Sequence, residues 1–457
     1  MSFRQALVAL VGGCLLLGPV AAVAVAHLAE SGVFDPSTAP APHGAAAAVA
    51  AGRRPGAGQA AADNWLRWGG PRGDFTSPAT GLAGAWSSGG PRELWRRDLG
   101  EGDAAIVVDG GRAFTLYRDG GREVVVALST VDGSTLWEHG YDAPVRGFDV
   151  QYGAGPHASP LVVGNRLFSV GFVGDFHAFD KRTGELLWSV DLWDDLRGTV
   201  RPRGYSSSPI EHDGAIILPV GGRRQAVMGF DPADGSVLWR GGDFDNAHAT
   251  PLVIDVDGED QLVIFMVDYV AGLDPGSGEL LWRHPHRTDY GLNISTPVWG
   301  DDNLLFVSSG YSGGSRALRL TLQNGITRVH EEWYTNRMRL HFGNAIRRGN
   351  VLYGANGDFG PSFVTAIDMR TGTVLWRDRS FAKASFLFAD GKLILLDEDG
   401  MLGLAVLEQQ GLRVLAQAEI FRTRSWTVPT LVGTRLFARD LREIAAFDLG
   451  AAANDTE

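Results

Sequence analysis

The sequence predicts an all-β protein, an eight-bladed β-propeller with four antiparallel strands per blade. Two observations carry this. One eleven-residue phrase recurs along the chain roughly every 40 to 50 residues, the period of a four-stranded repeat unit. The phrase is also split, its first half at the C-terminal end and its second half near the N-terminus, which a closed ring requires and an open stack of repeats does not.

The phrase reads Ala or Gly, an apolar residue, usually Asp, three turn residues, Gly, two residues, Leu and Trp. It occurs as ALSTVDGSTLW (127–137), AFDKRTGELLW (178–188), GFDPADGSVLW (229–239), GLDPGSGELLW (272–282) and AIDMRTGTVLW (366–376). Ala317–Trp333 keeps the ends around a longer hairpin that turns at Asn324-Gly325, and Ala405–Leu415 has lost its Trp. Ala446-Phe447-Asp448 and Glu93-Leu94-Trp95 supply the split copy, so residues 92–96 are expected to complete the C-terminal blade.

Each element has a physical reason. A strand ends at Asp, whose carboxylate accepts a backbone N–H two residues on and starts a turn. Gly takes the positive-φ position that closes the hairpin. The following strand ends in a structural Trp (Trp95, Trp137, Trp188, Trp239, Trp282, Trp333 and Trp376), whose large flat ring a small Ala or Gly of a neighbouring unit accommodates. A second strand pair lies upstream, as in Ser159–Val170, and ring closure hides the sheet edges.

Residues 1–26 read as a secretory signal peptide. A short basic start precedes the apolar run Ala6–Gly18, then Pro19 and two A-x-A sites ending at Ala24 and Ala26. The rival readings are a membrane tether over residues 6–26 and lipidation at Cys14, the sole cysteine. Residues 27–62, rich in Ala, Pro and Gly, read as a flexible linker, 63–450 as the propeller and 451–457 as a disordered tail. The chain is expected in the periplasm or secreted, touching a membrane only through an uncleaved N-terminal segment.

A net charge of −12 argues against nucleic acid as a partner, and one cysteine excludes a disulfide framework or thiolate zinc site. Asp255–Asp260 resembles part of a calcium loop but lacks the alternating ligand set, so a plain hairpin is expected. No nucleophile–base pair or metal ligand set is readable, and no catalytic residue is assigned.

The phrase AFDKRTGELLW resembles the tryptophan-docking motif of the pyrroloquinoline-quinone-like (PQQ-like) propellers. The opening Trp65–Phe75, WLRWGGPRGDF, is similar to the start of many bacterial repeat proteins of that kind. The superfamily includes quinoprotein dehydrogenases and a propeller lipoprotein of outer-membrane assembly. Resemblance to the former implies PQQ with calcium and an oxidoreductase; resemblance to the latter implies an envelope-assembly scaffold. The vicinal cysteine pair of the dehydrogenases has no counterpart here. The reading taken is an exported, non-catalytic binding propeller without a cofactor, recognising a protein, a glycan or a small ligand, anionic ones included.

Propeller topology gives the site a place. Short hairpin turns share one face, and the long, varied loops share the other, where a rigid scaffold presents binding residues. Each innermost strand is expected to begin with small polar residues ringing the axis. His157, Arg203, Tyr205, Arg223, His248, Tyr311, His341 and Trp426 on the long-loop face are the ligand-binding candidates. Imidazoles and guanidiniums there suit an anionic ligand, while small hydroxyls near an axis equally suit close packing; both readings stand at this point.

Overall fold

The computed structural model describes residues 64–451 except 88, 359 and 361. The signal-peptide, linker and tail assignments fall outside those residues, apart from the few at the borders. Among the described residues the secondary structure is all β, arranged as eight separate four-stranded antiparallel sheets. Blades 1 to 7 span residues 107–142, 161–191, 210–241, 252–285, 298–335, 340–378 and 384–419 in chain order, and blade 1, for instance, runs Val107–Asp109, Arg112–Asp119, Arg122–Ser129 and Thr135–Asp142. First strands of neighbouring sheets touch each other near the axis, and the Trp-bearing strands lie outermost.

Blade 8 is composite. Thr430–Val432, Arg435–Arg439 and Glu443–Asp448 come from the C-terminal end, and the N-terminal strand Arg92–Asp98 is its fourth strand. That closing strand runs two residues beyond the expected 92–96. Trp95 pairs with Ala446 and Glu93 with Phe447, and Arg92 adds an ion pair to Asp448 at 2.8 Å. Arg439, wholly buried, crosses the seam and donates to Leu116 O of blade 1 at 2.6 Å and to Gly100 O, in the loop leading into that blade, at 2.9 Å.

The repeated phrase is explained residue by residue. Asp180 Oδ1 accepts the N–H groups of Arg182 and Thr183 at 2.9 Å, as the turn rule requires, and Asp368 and Asp274 do the same. The small residue that opens each phrase lies opposite the Trp of its own sheet, in pairs such as Ala127–Trp137, Gly229–Trp239 and Gly272–Trp282, with a bulge beside each Trp. The small residue expected on the neighbouring unit is present as well: it is the hairpin glycine of the next blade. A Cβ on Gly133 would stand 2.6 Å from the Trp95 ring, and one on Gly184 2.6 Å from Trp137. The indole nitrogens of Trp95, Trp137, Trp188 and Trp333 donate to hairpin carbonyls of the next blade at 2.9–3.1 Å. Trp282 departs: it faces the long hairpin of blade 5 and donates to Gln261 within its own sheet at 2.8 Å. The Asp255–Asp260 segment is a plain hairpin turning at Asp257-Gly258.

The segment before the closing strand forms a strap over the hairpin-turn face. Trp65 pairs with Val108 in blade 1, and Leu66 O accepts from Val162 in blade 2. Trp68 reaches Thr296 in blade 5 at 2.8 Å, Phe75 and Ser77 bond Phe388 in blade 7, and Ala83 bonds Leu449 in blade 8. Gly69, Gly70 and Gly73 all have positive φ. A Cβ on Gly70 would meet the Trp65 ring at 2.7 Å, so the glycines let this segment fold back on itself.

Candidate functional site

The axis holds a cavity of about 360 Å³ whose lining combines long-loop residues with the starts of the innermost strands. Trp68 of the strap also lines it, from the hairpin-turn side, and supplies its base.

Six of the eight sequence candidates line this cavity: His157, Arg203, His248, Tyr311, His341 and Trp426. Two do not. Tyr205 is 1% exposed and packs in the core between blades 2 and 3, its hydroxyl donating to Pro219 O at 2.8 Å. Its apolar ring and single satisfied hydroxyl make it a core residue. Arg223 is exposed and is not among the lining residues.

The lining cations and acids are matched in pairs. Arg203 holds Asp149 at 3.2 Å. Asp103 Oδ2 receives both His157, at 3.4 Å, and Arg424, at 3.2 Å. Burial opposes ionisation of Asp103, but the His157 hydrogen bond and charge and the Arg424 and Arg439 guanidiniums outweigh it and keep its carboxyl below the ordinary value. Asp358 faces Arg339 at 3.3 Å and accepts the Tyr311 N–H at 2.8 Å. Glu398 Oε2 accepts from the Trp426 indole at 3.1 Å and lies 3.8 Å from Lys383.

The imidazoles of His248 and His341 are neutral spacers. Burial first, then the charges of Arg201, His157 and Arg203, bring His248 down to about 3, and its Nδ1 lies 2.7 Å from Ser206 Oγ. Burial, then Lys383, brings His341 down to about 4 against the opposing pull of Asp358, and its Nε2 lies 2.7 Å from the Tyr311 hydroxyl. The Arg424 guanidinium stands 3.9 Å from the centre of the Trp426 ring, and Phe342 stacks on that ring at 4.5 Å and 28°. Arg203 covers Tyr152 in the same way at 5.1 Å. The mouth is thus walled by aromatic rings, two of which carry a guanidinium against the ring.

Below the mouth, small polar residues tie blade to blade. Ser159 Oγ accepts from Ala105 N, Ser208 Oγ from Ser159 N and Thr250 Oγ1 from Ser208 N, each at 3.0 Å. Asn344 makes a two-way bond to Phe386 at 2.8–2.9 Å, and Ser295 donates to Gly343 O at 2.7 Å. The packing reading therefore accounts for this belt, while the charged and aromatic residues stand above it.

Sequence reasoning missed Asp103, Asp149, Asp358 and Glu398, and the basal role of Trp68. The acids sit at unrelated offsets in loops of unequal length, so no local spacing marks them. Trp68 was visible as part of the opening motif, but its destination depends on the path of the strap.

PQQ with calcium does not fit these residues. Calcium takes six to eight oxygen ligands, with carboxylates foremost; each lining carboxylate here is engaged by a cation or a donor, and no three acidic, His or Cys side chains converge among the described residues. A tricarboxylate quinone needs unengaged cations, and Arg203, Lys383 and Arg424 each already serve a cavity carboxylate.

A family model described as outer membrane protein assembly factor BamB matches residues 80–242 and 147–378. The outer membrane protein assembly factor BamB of Aliivibrio fischeri is 33% identical over 87 residues, 19% of this chain and 22% of that protein. The match thus spans about a fifth of that relative's length. Among solved structures, BamB from Moraxella catarrhalis is similar with a TM-score of 0.56 at 16% identity, covering 80% of this chain and 99% of that one. The quinohemoprotein alcohol dehydrogenase from Comamonas testosteroni is similar with a TM-score of 0.60 at 12% identity, covering 87% and 82%. At these identities the solved structures speak for the fold.

Proposed function

The chain belongs to the outer membrane protein assembly factor BamB family of PQQ-like propellers, and from that premise we propose that it is a non-catalytic binding propeller of the bacterial envelope. Its ligand enters the axial cavity from the long-loop face, between Trp426, Phe342, Tyr311 and Arg203. The N-terminal leader read from residues 1–26 and the envelope role of its relatives support export to the periplasm, with a retained tether as the other arrangement.

The observation that carries this reading is the cavity itself, open among long loops and backed by the Trp68 side chain on the hairpin side. Its six candidate side chains come from six different blades, held by a frame of backbone and belt hydrogen bonds, which is how a rigid scaffold presents a site. Family membership supports a second use of the same face, as an assembly scaffold. Tyr290 is 62% exposed and Tyr152 42% exposed in its loops, and exposed tyrosines favour protein contacts.

A photo-cross-linking residue at position 152 tests the proposal in cells. Intact-mass analysis is expected to find an adduct from 152 and none from position 238, a still more exposed leucine on an outer strand. Adducts from 238 alone would refute it.

A further inference from the structure

We infer that the axial cavity takes an uncharged saccharide; this rests on the binding proposal above and specifies its ligand. The inference comes from hydrogen-bonding capacity left over after the protein's own bonds are made.

Ser208, Thr250 and Thr296 stand on the adjacent blades 3, 4 and 5, line the cavity and are each more than nine-tenths buried. Each hydroxyl oxygen accepts a bond: from Ser159 N at 3.0 Å, from Ser208 N at 3.0 Å and from the Trp68 indole at 2.8 Å. None of the three donates to a protein acceptor among the described residues. A hydroxyl carries one proton, so the lower cavity presents three O–H donors left for water or for a guest that displaces it.

The mouth has the opposite polarity. Asp103 meets His157 and Arg424 through Oδ2, and Glu398 meets Trp426 and Lys383 through Oε2. Asp103 Oδ1 and Glu398 Oε1 accept no protein hydrogen bond among the described residues. Leu292 and Val428 contribute apolar wall to the same cavity. Donors below, acceptors above and apolar wall beside them match a molecule whose hydroxyls both give and accept while its ring C–H faces are apolar.

A polyanion is a poor guest for the same reasons. Its carboxylates would approach the unshared oxygens of Asp103 and Glu398, and the lower cavity offers hydroxyls but no cation to replace lost hydration.

Isothermal titration of the full chain with maltose, lactose, trehalose and N,N′-diacetylchitobiose, with citrate as the anionic arm, tests this. At least one disaccharide is expected to bind, Asp103→Asn and Thr250→Val each weakening it about tenfold, while citrate does not bind. Because Thr250→Val also removes the acceptor for Ser208 N, Thr250→Ser is included and is expected to restore binding. Disaccharide binding unmoved by these variants would overturn the placement. Citrate binding without any disaccharide would overturn the ligand class and leave the binding proposal intact. Failure of every probe would overturn the saccharide assignment, and the adduct from position 152 would then decide the binding proposal separately.

Discussion

Trp95 and Ala446, 351 positions apart in the chain, are direct partners across the last strand pair of blade 8. The small methyl lies opposite the indole, whose nitrogen donates to Thr130 O of blade 1 at 3.1 Å. One side chain thus fastens the N-terminal strand to the C-terminal sheet and that sheet to the next blade. Trp95→Ala is expected to cost about 3–5 kcal/mol, as for other large aromatic truncations in cores, read as a lower urea midpoint. A loss below about 1 kcal/mol would show that closure does not depend on this contact.

The hairpin glycines carry two separate requirements that substitution can separate. Gly184 and Gly164 both have positive φ, but a Cβ on Gly184 would strike the Trp137 ring whereas Gly164 opens onto free space. Gly164→Ala should cost about 1 kcal/mol from backbone strain alone. Gly184→Ala should add about 1–3 kcal/mol from overpacking. Equal costs would contradict the role given to the indole contact.

Asp175 gives a pH signature. Burial first, then the charges of Asp191, Glu123 and Asp194, raise its carboxyl from 3.8 to about 6. A raised acid binds its proton more tightly in the folded state, so the fold is favoured at low pH and loses that contribution as pH rises from about 4 through 6. Asp175→Asn is therefore expected to stabilise the protein at pH 7.5 and to leave it nearly unchanged at pH 3.5, measured as urea midpoints. Because Asp175 is only partly buried, solvent screens the effect and it should be modest.

The sequence made the ring legible and most of the site illegible, for physical reasons. The Asp turn, the hairpin Gly and the Trp act within a dozen residues or against one repeated neighbour, so their chemistry is printed in every copy. Even there, the small residue opposite each Trp within its own sheet went unread beside the glycine of the neighbouring blade, because one phrase serves both a cross-strand and an inter-blade contact. His157, His248 and Trp426 could be found because they occupy a recurring place before an inner strand. Tyr205 occupies a similar place near His157, yet its ring turns into the core. Asp103, Asp358 and Glu398 lie in loops of unequal length, and only the closed ring brings them to one mouth.

The strap makes a further prediction. Trp68 closes one end of the cavity and is bound to Thr296. Trp68→Ala should therefore cost about 2 kcal/mol, as partial loss of a large aromatic, and should speed proteolysis in residues 64–83. Unchanged proteolysis would show that the strap is held without it.

The most direct measurement is a crystal structure of the protein purified from its own cells, inspected for difference density in the axial cavity. Continuous density is expected above Trp68, within hydrogen-bonding distance of Ser208 and Thr250 and bounded by Trp426 and Phe342. A cavity filled only by ordered water, with foreign density seated on the outer strands instead, would contradict a binding site at the axis.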